Sequence, residues 1–227
     1  MKHFLALALV LVTGCSTMQS NQPSAHFAGP DRSVVHMPRV TILGDTLVTA
    51  WGTEAIKQQE PLWTFAGSPA GTYEYADQIL ARLPAALATH PDVLVILAGT
   101  IDMGDPLWLG PCGPDTCTNV VSMILLAQQA GVRVLVCTLP TTQDGPEGTL
   151  WLEMNPYIPD DEADFNQAIA EFRNTEGWNE NGVIDLAKAV AGTQWTTDGL
   201  SPNDSGAQSF TSAAEAQIAA LRVGGSK

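Results

Sequence analysis

From residue 40 onward the chain alternates short apolar runs with longer segments in which apolar positions recur at helical spacing. The runs cover 40–43, 62–66, 93–98, 132–138 and 182–185. The first of them is β-branched and stops at Gly44, which predicts a buried parallel strand feeding a helix. Between and after them, helices are predicted over 48–59, 73–89, 118–130, 161–174 and 205–221. Strand and helix in strict alternation predict a parallel five-stranded sheet covered on both sides. Right-handed crossovers make it a three-layer α/β/α sandwich. Strand order is left open. In such a sheet, chemistry belongs just beyond the carboxyl ends of the strands.

The first 38 residues follow another pattern. Met1-Lys2-His3 is a short basic start, and residues 4–12 are apolar but too few to span a bilayer. Leu11-Val12-Thr13-Gly14-Cys15 resembles the bacterial lipobox, in which the Cys becomes the lipidated N-terminus. The expectation is a signal peptide over 1–14, a lipid-bearing Cys15 followed by a polar tether to residue 38, and one domain over 39–223. Lipid chains supply anchoring of about 0.8 kcal/mol per buried methylene. Ser16, where inner-membrane retention has Asp, resembles the outer-membrane sorting pattern. The chain is thus expected in the cell envelope, anchored to the outer membrane and facing the periplasm.

Charge and cysteines refine that picture. A net charge of −14 opposes binding to nucleic acid or an anionic bilayer through a basic surface. Cys112 and Cys117 bound a short loop containing Gly113 and Pro114, and an oxidising periplasm favours a disulfide between them. A metal site there would have two thiols and no nearby His, so no metal is expected. Cys137, inside a strand run, is expected to be a buried, inert thiol. Asp160, Asp161, Glu162 and Asp164 open a helix and suit its dipole better than a cation. Asp102 and Asp105 are expected as turn and cap residues. No cofactor is implied.

Three turns at predicted strand ends carry the candidate chemistry. The first is Gly44-Asp45-Thr46, the second Phe65-Ala66-Gly67, and the third follows Ala98-Gly99-Thr100 at Ile101-Asp102. Near the C-terminus stands Asp198-Gly199-Leu200-Ser201-Pro202-Asn203. These blocks, in this order, resemble the SGNH or GDSL-type hydrolases, esterases and lipases with a flavodoxin-like sandwich. The resemblance spans essentially all of the chain past the tether. It implies that position 46 is the nucleophile's place and that Gly67 lends its N–H to the oxyanion. It also implies an oxyanion-binding Asn at 101, and an Asp–His pair at 198 and 201.

The chain departs from the family at three of these positions. Thr46 replaces Ser, Ile101 replaces Asn and Ser201 replaces His. A hydroxyl attacks only when a neighbouring base takes its proton, and His suits that task near neutral pH. Ser201 cannot serve, and Asp198 with an ordinary pKa of about 3.9 is a poor base. Ile101 has no donor, a loss of roughly 10²–10³ in rate. Thr46 adds a methyl that restricts its side chain. His36 and His90 precede strands, which puts them roughly 20 Å from the catalytic edge. His26 lies on the tether.

The expectation is an esterase-like fold with a degenerate site and little or no turnover, its pocket open to an acyl-ester or acetylated-glycan ligand. Two alternatives stand beside it. One is an active esterase using Thr46 with Asp198 through a water; the other is a structural envelope lipoprotein. The segment 140–159, with four Pro and Trp151, Met154 and Tyr157, reads as a long loop at the ligand end. Its aromatic residues are expected to pin it to the domain rather than to line a pocket.

Overall fold

The computed structural model describes residues 37–69, 72–104, 115–172 and 182–223. In chain order the elements are β1 (Val40–Gly44), α1 (Thr46–Trp51), α2 (Glu54–Gln59), β2 (Trp63–Ala66) and α3 (Ala76–Leu87). Then come β3 (Val93–Leu97), α4 (Thr100–Gly104), α5 (Thr116–Gln129), β4 (Arg133–Cys137) and α6 (Pro146–Met154). The last are α7 (Ile158–Phe172), β5 (Gly182–Ile184), α8 (Leu186–Val190) and α9 (Asp204–Val223).

All five strands are parallel, in the order β2-β1-β3-β4-β5. Every residue of β1 and β3 is buried, as expected of strands covered on both faces. Helix α3 packs on β1 and on α5, which itself lies on β4, while α9 packs on β5, α1 and α8. From β1 the chain steps out to β2 and then crosses back to β3. This reversal opens a crevice beyond the carboxyl ends of β1 and β3, where such sheets hold their ligands.

Local chemistry explains where the elements differ from expectation. The predicted helix 48–59 is two helices. Gly52 ends α1 through its N–H to the Val48 carbonyl, and Thr53 starts α2 by accepting from the Ile56 N–H. The Phe65 ring lies so close to Gly52 that a side chain there would collide with it. The segment read as a loop contains α6, with Pro146 in its first turn, a position where Pro's missing N–H costs nothing. The short helices α4 and α8 were not expected either.

Aromatic packing anchors the sheet to α9. The Trp51 ring meets Trp63, Phe65 and Phe210 edge-on at centroid distances of 6.4, 5.9 and 5.6 Å, and its indole N–H donates to Thr211 Oγ1 at 3.0 Å. Cys137 is a free, buried thiol, and burial pushes its pKa up. Cys117 is disulfide-bonded, while Cys112 and Asp105 lie outside the described residues. So do residues 1–14, expected to be a signal peptide, and Cys15, His26 and His36. Among the described residues, no helix is long and apolar enough to cross a membrane.

Candidate active site

Thr46 is the first residue of α1, directly beyond β1. Asp45 caps that helix, its Oδ1 accepting from the Leu47 N–H at 3.0 Å. Gly44 passes so close to the Leu97 carbonyl of β3 that no side chain fits there. The second turn lies against the first: the Ser68 N–H donates to the Asp45 carbonyl at 3.2 Å. Gly67 backs onto Thr49 of α1, where an added Cβ would collide with the Thr49 side chain and backbone. Its glycine is required by that close approach.

One group clamps both turns, and sequence patterns had not singled it out. Arg82 of α3 donates to the Gly44 carbonyl at 2.6 Å, to Ala66 at 2.9 Å and to Gly67 at 3.2 Å. It also pairs with Glu74 at 2.6 Å, and Glu74 in turn accepts from the Ser68 hydroxyl at 3.0 Å. Its position among the polar residues of an amphipathic helix left no sequence signal.

The third turn is occupied differently. Ile101 is only 5 % exposed and packs with Trp151, Ile158 and Leu200 in an apolar cluster separate from the main core. The position where the family has an oxyanion donor is therefore the base of a small hydrophobic core. Asp102, next to it, is a structural tie. It accepts from Thr116 Oγ1 at 2.6 Å and from the Ala76 N–H at 3.1 Å, and burial raises its pKa. It was expected in a turn; instead it sits inside α4 and ties that helix to the starts of α3 and α5.

Asp198 turns its carboxylate onto its own loop. Oδ1 accepts from the N–H groups of Leu200 and Ser201 at 2.8 and 2.6 Å and from Thr196 Oγ1 at 2.8 Å. Burial alone would raise its pKa, but these bonds and the Ser201 hydroxyl outweigh it and hold the carboxyl below its ordinary value. A carboxylate so stabilised is a still weaker base.

Helix α6 is fastened over this loop. The N–H groups of Glu147 and Gly148 donate to the Asp198 carbonyl at 2.8 and 2.9 Å. Gly199, at φ +98°, leaves no room for a side chain against Gln143 and Gly148. Gly199→Ala is expected to cost about 2–3 kcal/mol through backbone strain and this contact, read as a fall in thermal midpoint. Trp151 meets the Tyr73 ring at 6.1 Å and covers Gly104. It pins the segment, as expected, whereas Met154 and Tyr157 are exposed. Glu162, one of the acids expected to serve the α7 dipole, instead points inward and accepts from the Thr142 N–H and hydroxyl. Burial lifts its pKa to about 7.

The fold thus joins Thr46 to Gly67 through Arg82, and Ile101 to the Asp198 loop through Leu200 and Trp151. The Thr46 hydroxyl has no hydrogen-bond partner among the described residues. His90, the one described histidine, precedes β3 at the far end of the sheet. Asp45 has a pKa lifted to about 7, chiefly by burial, but its carboxyl is fully buried and turned to Leu47 and Thr100. Among the described residues, no group of three or more His, Cys, Asp or Glu side chains is placed to hold a metal ion.

This five-stranded sheet, with its Gly-Asp turn after β1 and Asp loop before α9, defines the SGNH-hydrolase fold class. Residues 40–208 match the GDSL-like lipase/acylhydrolase family, and the chain belongs to it. Solved structures share the fold at low identity. A GDSL-like lipase of Bacteroides thetaiotaomicron is 18% identical with a TM-score of 0.64, over 80% of this chain and 88% of that one. A carbohydrate acetylesterase family member of Sinorhizobium meliloti is 18% identical with a TM-score of 0.60, over 82% and 99%. An acetyl xylan esterase is 17% identical with a TM-score of 0.57, over 79% and 98%. No curated protein matches the chain.

Proposed function

We propose that this protein is an envelope lipoprotein that keeps the GDSL-hydrolase scaffold without ester turnover, and that it binds an acylated glycan at the former active-site mouth. The observation that carries the loss of turnover is the Thr46 hydroxyl: it has no proton acceptor among the described residues. Ser201 and Asp198 hold each other, and Ile101 is sealed under Trp151.

The ligand class rests on what surrounds α6. The chain's three tyrosines, Tyr73, Tyr75 and Tyr157, are all exposed, as are Leu150 and Met154. The Tyr73 ring leans on Trp151 at a tilt of 58°, and its hydroxyl lies 3.5 Å from Glu147. Such rings offer flat apolar faces with a polar tip, suited to sugar rings. Two solved structures of this fold are a carbohydrate acetylesterase family member and an acetyl xylan esterase. The anchor is Cys15, in the lipobox-like sequence, with the tether to residue 38 holding the domain in the periplasm. The closed cluster around Trp151 favours a second reading, a structural lipoprotein that binds nothing there.

Fluorophosphonate labelling of the purified protein tests the first point. No stoichiometric adduct is expected on Thr46, and aryl-ester hydrolysis is expected to be equal in the parent and in Thr46→Ala. Labelling of Thr46, or a rate that falls in Thr46→Ala, overturns the proposal. Retention of neutral acetylated xylan in affinity electrophoresis, lost in Tyr73→Ala and Tyr157→Ala, separates glycan binding from a purely structural role.

A further inference from the structure

Asp45 is the least accessible ionisable group near the site. It is 0 % exposed, and only one of its oxygens is engaged, Oδ1 with the Leu47 N–H. Oδ2 is buried with no hydrogen-bond partner. Thr100, at the start of α4, lies beside this carboxyl, and its Oγ1 is also buried without a partner. The Thr100 hydroxyl can join the two oxygens by donating to Oδ2, but that leaves a charge in the interior; a proton on Oδ2 makes the same bond and removes the charge.

The groups facing Asp45 offer no compensating cation. From α4, Asp102 presents a second carboxylate, whose charge disfavours another nearby. From β4 comes the Cys137 thiol, whose pKa is pushed up chiefly by burial and further by a charge on Asp45. From α3, the Arg82 guanidinium is turned to the carbonyls of Gly44, Ala66 and Gly67 and to Glu74. A buried carboxyl with no cation neutralises itself by keeping its proton.

We propose that Asp45 is a latch that holds its proton below neutral pH: its Oδ2–H donates to the Thr100 hydroxyl and ties the β1–α1 turn to the start of α4. Release of that proton to solvent leaves a carboxylate in the interior, and the turn that carries Thr46 loosens. The inference is independent of whether the protein hydrolyses or binds an ester.

The sign of the pH dependence follows. The folded pKa, about 7, stands above the unfolded carboxyl value of about 3.9. The stabilisation is complete below about pH 4 and is lost as pH rises toward 7. Glu162 acts in the same direction. Asp198, with its lowered pKa, acts oppositely and only in acid.

Denaturant unfolding of the full mature chain between about pH 5 and pH 8 tests this. Each such proton raises the unfolding equilibrium constant about tenfold per pH unit below its folded pKa. Asp45→Asn mimics the neutral acid, with its amide donating to Thr100 and its carbonyl accepting from Leu47. It is expected to remove about one tenfold step per pH unit and to be more stable than the parent at pH 8. An unchanged slope, or a variant less stable than the parent only at high pH, overturns the latch. Carbon-13 titration of the parent's Asp carboxyls covers the case in which the variant does not fold. A fully buried Asp resonance titrating near neutrality supports the latch, and its full titration below about pH 5 refutes it.

Discussion

Replacing Thr46→Ser, Ile101→Asn and Ser201→His together is expected to raise hydrolysis of a short aryl ester by about 10³-fold or more over the parent. A positioned general base contributes roughly 10²–10⁴ and an oxyanion donor about 10²–10³. These factors overlap, so the lower bound is the safer expectation. The scaffold for all three is in place. Thr46 already begins α1, and Gly67 is clamped beside it by Arg82. Asp198, three residues before Ser201, stands where the family's His-orienting carboxylate stands. Ile101→Asn puts an amide among Trp151, Ile158 and Leu200, which is expected to cost about 1–3 kcal/mol. Initial rates and circular dichroism on the parent, the triple variant and the same variant carrying Thr46→Ala check this. A folded triple variant no faster than the parent would mean that α6 covers the cradle and that more than the reacting groups has been lost.

Trp151→Ala is expected to destabilise the protein by about 3–5 kcal/mol, the usual cost of deleting a large buried aromatic. Trp151 is 8 % exposed and is the largest member of a four-residue cluster that joins α6 to α4, α7 and the Asp198 loop. The cluster is separate from the main core, so its neighbours have little else to collapse onto. Denaturant midpoints of the parent and the variant give the magnitude. Amide exchange gives the location: protection is expected to fall first in 146–154 and 198–201, while β1 and β3 stay protected. A uniform loss across the sheet would place Trp151 in the main core instead.

The alternating runs made the fold legible before any coordinates, and with it the place of Thr46 directly beyond β1. Local patterns reach that far because apolar periodicity reports which faces are buried. Gly44, Gly67 and Gly199 mark close backbone approaches. The same patterns misread 140–159, because four prolines resemble a loop while α6 is held by bonds to the distant Asp198 carbonyl. Glu162 and Arg82 were invisible for a related reason. A charged residue on a helix looks solvated until the structure shows what it faces.

By itself the sequence determined the class of sheet and the identity of the residues in the turns that resemble the family's blocks. Residue identity and short-range spacing are local quantities. Only the tertiary structure decided that Ile101 is sealed in an apolar cluster, that Asp198 is spent on its own loop and that Asp45 is buried with one oxygen unpartnered. Burial, hydrogen bonding and the resulting shifts in proton affinity depend on groups far apart in the chain, and they exist only once folding has brought those groups together.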